Sequence, residues 1–103
     1  MKTVMLVCSA GMSTSLLVNM IRSIVEQREL GLKIIAASEA EAKSYPGQID
    51  VLLLGPQVKY LFQKMEMLMA AAGTKVGVID SISYGTLNGE AVLSQVLELL
   101  QRG

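Results

Sequence analysis

The chain has 103 residues, 51% hydrophobic and 17% charged, with nine basic side chains set against nine acidic ones; that excludes a disordered segment and suffices for a core without disulfide or metal staples. One cysteine and no histidine exclude an internal disulfide, a CxxC pair, a cysteine metal cluster and Ser/His or Cys/His catalysis, and the zero net charge lacks the footprint of a nucleic-acid binder. No apolar run reaches the roughly 18 residues of a membrane span, and the N-terminal run continues into a Gly/Ser/Thr stretch with no cleavage pattern, so a single cytoplasmic domain over residues 1–103 is expected.

Residues 3–8 (TVMLVC) are a short apolar, β-branched run followed at once by SAGMSTS, the pattern of a buried strand ending in a small-residue turn. From Ser13 onward, Leu17, Met20, Ile21, Ile24 and Val25 fall at helical spacing, with Arg22, Glu26 and Glu29 on the other side, which predicts an amphipathic helix ending near Gly31. Residues 32–37 (LKIIAA) read as a second strand. Ser38-Glu39-Ala40-Glu41 then has the capping-box pattern that opens a short helix before Pro46 and Gly47. Residues 50–54 (DVLLL) form a third strand stopped by Gly55-Pro56. Val58, Leu61, Phe62, Met65, Leu68, Met69 and Ala72 recur three and four apart, a core stripe of a helix closed by Gly73. Residues 75–79 (KVGVI) make a fourth strand, 80–88 a loop, and Val92, Leu93, Val96, Leu97 and Leu100 mark a last helix.

Strands alternating with helices and apolar on both faces predict an α/β fold: one parallel sheet between two helical layers, with right-handed crossovers. Ligands of such folds gather beyond the carboxyl ends of the strands, here residues 8–13, 55–57 and 80–85. No internal repeat, linker or low-complexity tract marks a second domain.

A lone cysteine is most often a small buried hydrophobe, Gly11 by itself a tight turn, and Ser13 or Thr14 an ordinary N-cap. Together they say more. Cys8 ends a strand and is followed by small and hydroxylated residues entering a helix, a turn that aims several backbone N–H groups at one point and favours a bound phosphate or other oxyanion. No charged side chain occurs between residues 3 and 21, so a dianion on the sulfur would meet backbone dipoles and not a lysine or arginine. Such a neutral cradle leaves a thiophosphate ester reactive toward a further acceptor, whereas a cationic clamp favours tight holding or hydrolysis. No GxGxxG is present, which separates the loop from a dinucleotide site.

The run Cys8-Ser9-Ala10-Gly11-Met12-Ser13-Thr14-Ser15, with Leu54-Gly55-Pro56-Gln57 and Asp80-Ser81-Ile82-Ser83-Tyr84-Gly85, resembles the B component of enzyme II of the bacterial phosphoenolpyruvate-dependent sugar phosphotransferase system, lactose and cellobiose/chitobiose class. The resemblance covers essentially the whole chain. It implies a Rossmann-like, four-stranded parallel sheet in the order 2-1-3-4 and a phosphocysteine intermediate on Cys8. Ser9, Ala10, Gly11, Met12, Ser13, Thr14 and Ser15 would be the phosphate loop, with backbone N–H donors from Ala10 to Thr14 and the Ser13 and Ser15 hydroxyls assisting. Gln57, Asp80 and Tyr84 form a second tier, for which the alternatives are a helix-start residue, a loop cap and an aromatic plug. The implied partners are a phosphorylated A component, which donates from a phosphohistidine, and a membrane-embedded C component with its bound sugar, a β-linked disaccharide such as cellobiose, chitobiose or lactose. No metal, cofactor, nucleic acid or membrane insertion is implied, and Met12 and Leu16 are candidates for the docking surface.

The fold is also similar to that of low-molecular-weight tyrosine phosphatases and arsenate reductases, whose pattern is Cys, five residues, then Arg. Here that position is Thr14 and the next arginine is Arg22, so the phosphate-clamping arginine is missing and a cysteine-dependent phosphatase is the second reading. A regulatory module that senses phosphorylation is the third.

Overall fold

A computed structural model of the chain describes residues 1–8, 12–45 and 47–102; for Met12 and Ser13 it describes the backbone alone. Four parallel strands, β1 (Lys2–Val7), β2 (Leu32–Ala37), β3 (Val51–Leu54) and β4 (Lys75–Val78), make one sheet in the order β2-β1-β3-β4. The helices are α1 (Met12–Gln27), α2 (Glu39–Ser44), α3 (Phe62–Met69), α4 (Ser81–Gly85) and α5 (Gly89–Gln101), with 3-10 segments Pro56–Leu61 and Ala70–Ala72 flanking α3. The expected fold class and strand order are both found.

Alternation along the strands splits the core in two. Val4 and Leu6 of β1 and Val51 and Leu53 of β3 pack with Leu17, Val18 and Ile21 of α1 and Val92, Leu93 and Val96 of α5. Met5, Val7, Leu52 and Leu54 point the other way, onto Ala42 of α2 and Val58, Leu61 and Met65. β1 and β3 are buried at every interior position because helices cover both faces, which is why they read as unbroken apolar runs.

The structure corrects several boundaries. α1 ends at Gln27 and not near Gly31: Glu29 takes the left-handed conformation (φ 52°), the Glu29 N–H bonds to the Glu26 carbonyl at 3.2 Å, and the Leu30 N–H reaches the Val25 carbonyl at 3.0 Å. This is a Schellman closure built on a glutamate. Asp50 lies outside β3; its carboxylate accepts the Thr3 N–H at 2.8 Å and so ties the start of β1 to the chain entering β3. The expected continuous helix over 58–72 is broken at Val58 (φ −119°, ψ 24°) and ends in a 3-10 turn, with Gly73 closing it in the left-handed region (φ 75°) as its position predicts. Leu68 of the expected core stripe is 53% exposed, Ala72 is exposed, and Met20 of α1 is 44% exposed. Residues 80–88 are not all loop: α4 lies within them, capped by Asp80.

Candidate functional site

Cys8 follows β1 directly, at the carboxyl end of the strand next to the centre of the sheet, and its N–H continues the β1–β2 pairing with a 3.3 Å bond to the Ala37 carbonyl. The side chain is buried, 6% exposed, against the α2–α3 half of the core. Its sulfur is not left to apolar neighbours. Cys8 Sγ is in hydrogen-bond contact with Thr14 Oγ1, on the first turn of α1. Thr14 Oγ1 lies 2.8 Å from the Tyr84 hydroxyl, which is itself 4.0 Å from Cys8 Sγ. Three chain segments thus meet at one sulfur, and both hydroxyl residues are buried.

Gly55 is the fourth wall. Its N–H bonds to the Val7 carbonyl at 2.8 Å, drawing the end of β3 alongside Cys8. A methyl group added to Gly55 would lie 2.8 Å from Gln57 Oε1, 3.1 Å from Cys8 Cβ and 3.6 Å from Tyr84 Cε2. Glycine is needed here for space and not for an unusual backbone angle, since φ is −63°. The same contacts bring Gln57 and Tyr84 together with Cys8, although they are 27 residues apart in the chain.

Asp80 takes the cap role: its carboxylate accepts the Ser83 N–H at 3.0 Å and the Ser83 hydroxyl at 3.4 Å, which starts the short helix carrying Tyr84. Tyr84 sits as the aromatic-plug alternative describes. Its ring is buried within the α1–α5 core, and its hydroxyl emerges at Thr14. Gln57 is the exposed second residue of the 3-10 segment opened by Pro56. Ser15 is exposed and borders the depression beside Cys8, and Leu16 is 50% exposed one residue further on. Ser9, Ala10 and Gly11 lie outside the described residues, as do the side chains of Met12 and Ser13.

Two shallow depressions meet at Cys8 and Ser38. One, of about 200 Å³, is bounded by Thr14, Ser15 and Glu41; the other, of about 240 Å³, by Glu39, Val58, Tyr60 and Leu61. Larger hollows of about 420 and 480 Å³ lie at the amino ends of the strands, beside Ile49 and Thr74 or beside Leu32, and neither borders the cysteine. Ser38, Glu39, Glu41 and Tyr60 are site-lining residues that motif reading missed. The available signal was the strand order, which sets the residues following β2 next to those following β1.

Both glutamates are held ionised. Hydrogen bonds from Lys64 and then Lys43 keep the Glu39 carboxyl below its ordinary range, and the capping bonds with the Ser38 backbone N–H and side chain do the same for Glu41. Lys64 Nζ and Lys43 Nζ sit 2.9 and 3.0 Å from the same oxygen, Glu39 Oε2. Among the described residues no group of His, Cys, Asp and Glu could hold a metal ion, and no helix is long and apolar enough to cross a membrane.

Residues 3–95 match the family model described as "PTS system, Lactose/Cellobiose specific IIB subunit". The chain is 33% identical over 100 residues to the oligo-beta-mannoside-specific EIIB component of Bacillus subtilis (strain 168), covering 97% of both proteins. It is 35% identical over 104 residues to the galactose-specific EIIB component of Lactococcus lactis subsp. cremoris (strain MG1363), covering 96% of both. Among solved structures, the cellobiose-specific IIB component of Borrelia burgdorferi superposes with a TM-score of 0.77 at 33% identity, over 96% of this chain and 91% of that one. The lactose-specific IIB domain of Streptococcus pneumoniae shares the fold, with a TM-score of 0.86 at 20% identity over 97% and 98%.

Proposed function

This chain belongs to the lactose/cellobiose-specific IIB subunits of the phosphotransferase system, phosphoryl carriers in sugar uptake, and from that premise we propose that Cys8 is the residue that carries the phosphoryl group. The observation that supports this most is the sulfur's position: it ends the strand at a topological crossover, with the Thr14 and Tyr84 hydroxyls gathered at it.

The relay runs in two displacements. Cys8 Sγ attacks the phosphorus of a phosphohistidine on the A component; the S–P bond forms as the P–N bond breaks, and the thiol proton ends on the departing imidazole nitrogen. A sugar hydroxyl presented by the membrane C component then attacks the same phosphorus, the S–P electron pair returns to sulfur, and the hydroxyl proton ends on the released thiolate. Backbone N–H groups of residues 10–14, with the Ser13 and Ser15 hydroxyls assisting, hold the phosphoryl oxygens, and Gln57 and Tyr84 are the second tier, Tyr84 bonded to Thr14 beside the sulfur. The work is done at the cytoplasmic face of the membrane, without metal or cofactor. The acceptor is a β-linked disaccharide. Similar relatives are named for oligo-beta-mannoside, galactose and cellobiose at 33–35% identity, so overall similarity does not select among sugars. Thr14 in place of a phosphate-clamping arginine argues against a self-sufficient phosphatase.

The test is to incubate the protein with phosphoenolpyruvate, the general phosphotransferase proteins and a cognate A component, and to map the adduct by mass spectrometry. One phosphoryl group on Cys8, absent from the Cys8→Ser variant, is the expected result. An adduct on another residue, or one that survives Cys8→Ser, overturns the assignment, and release of phosphate from an aryl phosphate by the chain alone would favour the phosphatase.

A further inference from the structure

The sheet ends in two strands, β2 and β4, each paired on one side only. The Cys8 N–H bonds to the Ala37 carbonyl at 3.3 Å, so residues 33, 35 and 37 turn their backbone polar groups toward β1, and Ile34 and Ala36 turn theirs away from the sheet. At the opposite edge the Lys75 and Ile79 N–H groups bond to the Asp50 and Leu54 carbonyls, which sends the backbone groups of Val76 and Val78 outward. Such a row of groups is a template on which another chain can lay a strand. The common deterrents are sparse. Neither strand contains a proline, both pair without a bulge, and the stretches IIAA (34–37) and VGVI (76–79) carry no charge.

One polar side chain reaches round each edge instead. Arg22 of α1 donates from Nε to the Ile34 carbonyl at 2.8 Å, and Gln95 of α5 donates from Nε2 to the Val78 carbonyl at 2.9 Å. Both helices pack on the same face of the sheet, and each gives its bond to a carbonyl that points outward. Gly77 makes room for the second: a methyl group there would lie 3.2 Å from Gln95 Nε2 and 3.1 Å from Leu99 Cδ1. We propose that Arg22 and Gln95 are edge guards, each occupying a carbonyl that a second copy of this chain would need in order to add its own strand to the sheet. An antiparallel union of two β2 edges is the association they chiefly prevent. β2 is the longer edge, six residues against four, and like edges related by a two-fold axis close into a dimer. Arg22 also lines, with Leu32 and Ile34, the hollow of about 480 Å³ beside β2, so an incoming strand meets a cationic side chain as well as an occupied carbonyl.

Arg22→Met and Gln95→Met keep an unbranched side chain at each position and remove the donor. Sedimentation over a range of protein concentrations reads association, and amide hydrogen exchange followed residue by residue reads where it occurs. Arg22→Met is expected to approach twice the sedimenting mass of the wild-type chain as concentration rises. Its Ile34 and Ala36 amides should then exchange roughly tenfold more slowly once about nine-tenths of the chains are paired. Adding Ala36→Lys to Arg22→Met places a charge at an exposed position of the same edge and should return the protein to monomer, which it could not do if the association came from unfolding. Gln95→Met is expected to act in the same way at Val76 and Val78, and it decides the matter if Arg22→Met does not fold. A folded variant that keeps the wild-type mass and exchange overturns the proposal. So does an association that leaves these amides unprotected or survives Ala36→Lys, since it would run through another surface, and so does a wild-type chain that already pairs through either edge.

Discussion

The Tyr84 hydroxyl lies 2.8 Å from Thr14 Oγ1 across 70 residues of sequence, and Thr14 is the residue whose oxygen touches the Cys8 sulfur. Tyr84 is therefore linked to the thiol through one intervening hydroxyl as well as by its own 4.0 Å approach. Tyr84→Phe keeps the buried ring and removes only the oxygen. The expected loss of stability is about 1 kcal/mol, that of one buried hydrogen bond, with phosphorylation of Cys8 slowed roughly three- to tenfold. Thermal melts and single-turnover phosphorylation by the A component measure the two effects; a wild-type rate would remove Tyr84 from the site and leave it a core residue.

Gly55 gives an independent check on how closely the walls fit. A methyl group there meets the flexible end of Gln57, which can swing away, and Cys8 Cβ, which is fixed at the strand end by backbone pairing. Gly55→Ala is expected to cost about 1–3 kcal/mol by overpacking and to slow phosphorylation by displacing the sulfur. A denaturant midpoint and phosphorylation rate both equal to wild type would show that the strand end yields more easily than its packing indicates.

How much of this was readable beforehand depends on the range over which each feature is determined. The apolar runs of β1 and β3, the Ser38-x-x-Glu41 box and the Gly73 stop are local patterns, and each is found within one residue of where the sequence puts it. α4 escaped because five residues are too few to show a helical period, and Asp80 read equally well as a site acid or as a cap. Exposure of Leu68 and Met20 depends on how far the neighbouring layer reaches, which spacing along a helix does not encode. Tyr84 could be named as a candidate, but its bond to Thr14 exists only because β4 delivers α4 over the end of β1, a property of strand order. Ser38, Glu39 and Tyr60 were overlooked for the same reason.

Glu29 shows a local misfit with a measurable consequence. It occupies the left-handed position that closes α1 (φ 52°), a conformation costing a side-chain-bearing residue roughly 1–2 kcal/mol, while Gly31 two residues on is also left-handed (φ 66°). No hydrogen bond from the Glu29 side chain offsets that cost among the described contacts. Glu29→Gly is expected to stabilise the protein by about 0.5–1 kcal/mol, less than the strain relieved because glycine makes the unfolded chain more flexible. Since Glu29 lies at the end of α1 far from Cys8, phosphorylation should not change. A lower melting temperature would mean that the closure tolerates glutamate without strain.

Acid stability offers a test of the elements that hold Ser38 and Glu39 beside the sulfur. Both Glu39 and Glu41 titrate below their ordinary value of 4.5, Glu39 chiefly through Lys64 and then Lys43, Glu41 chiefly through the Ser38 backbone N–H. A carboxyl lowered by folding contributes stability that is complete above its unfolded value and is lost as pH falls through its folded one. The start of α2 and its link to α3 should therefore hold steady from neutral pH down to about 5 and weaken below 4.5. Lys64, raised chiefly by its hydrogen bond with Glu39, works in the opposite sense: its share is complete below its ordinary 10.5 and is lost as pH rises through the folded value. Because these groups are exposed, salt screens them, and the effect is a difference in slope and not a collapse. Glu39→Gln removes both lysine contacts, so its denaturant midpoint should fall less steeply than that of wild type between pH 5 and 3, and the two curves should converge in high salt. Parallel acid limbs for the two proteins would show that the Lys43–Glu39–Lys64 cluster does not couple α2 to α3 in solution.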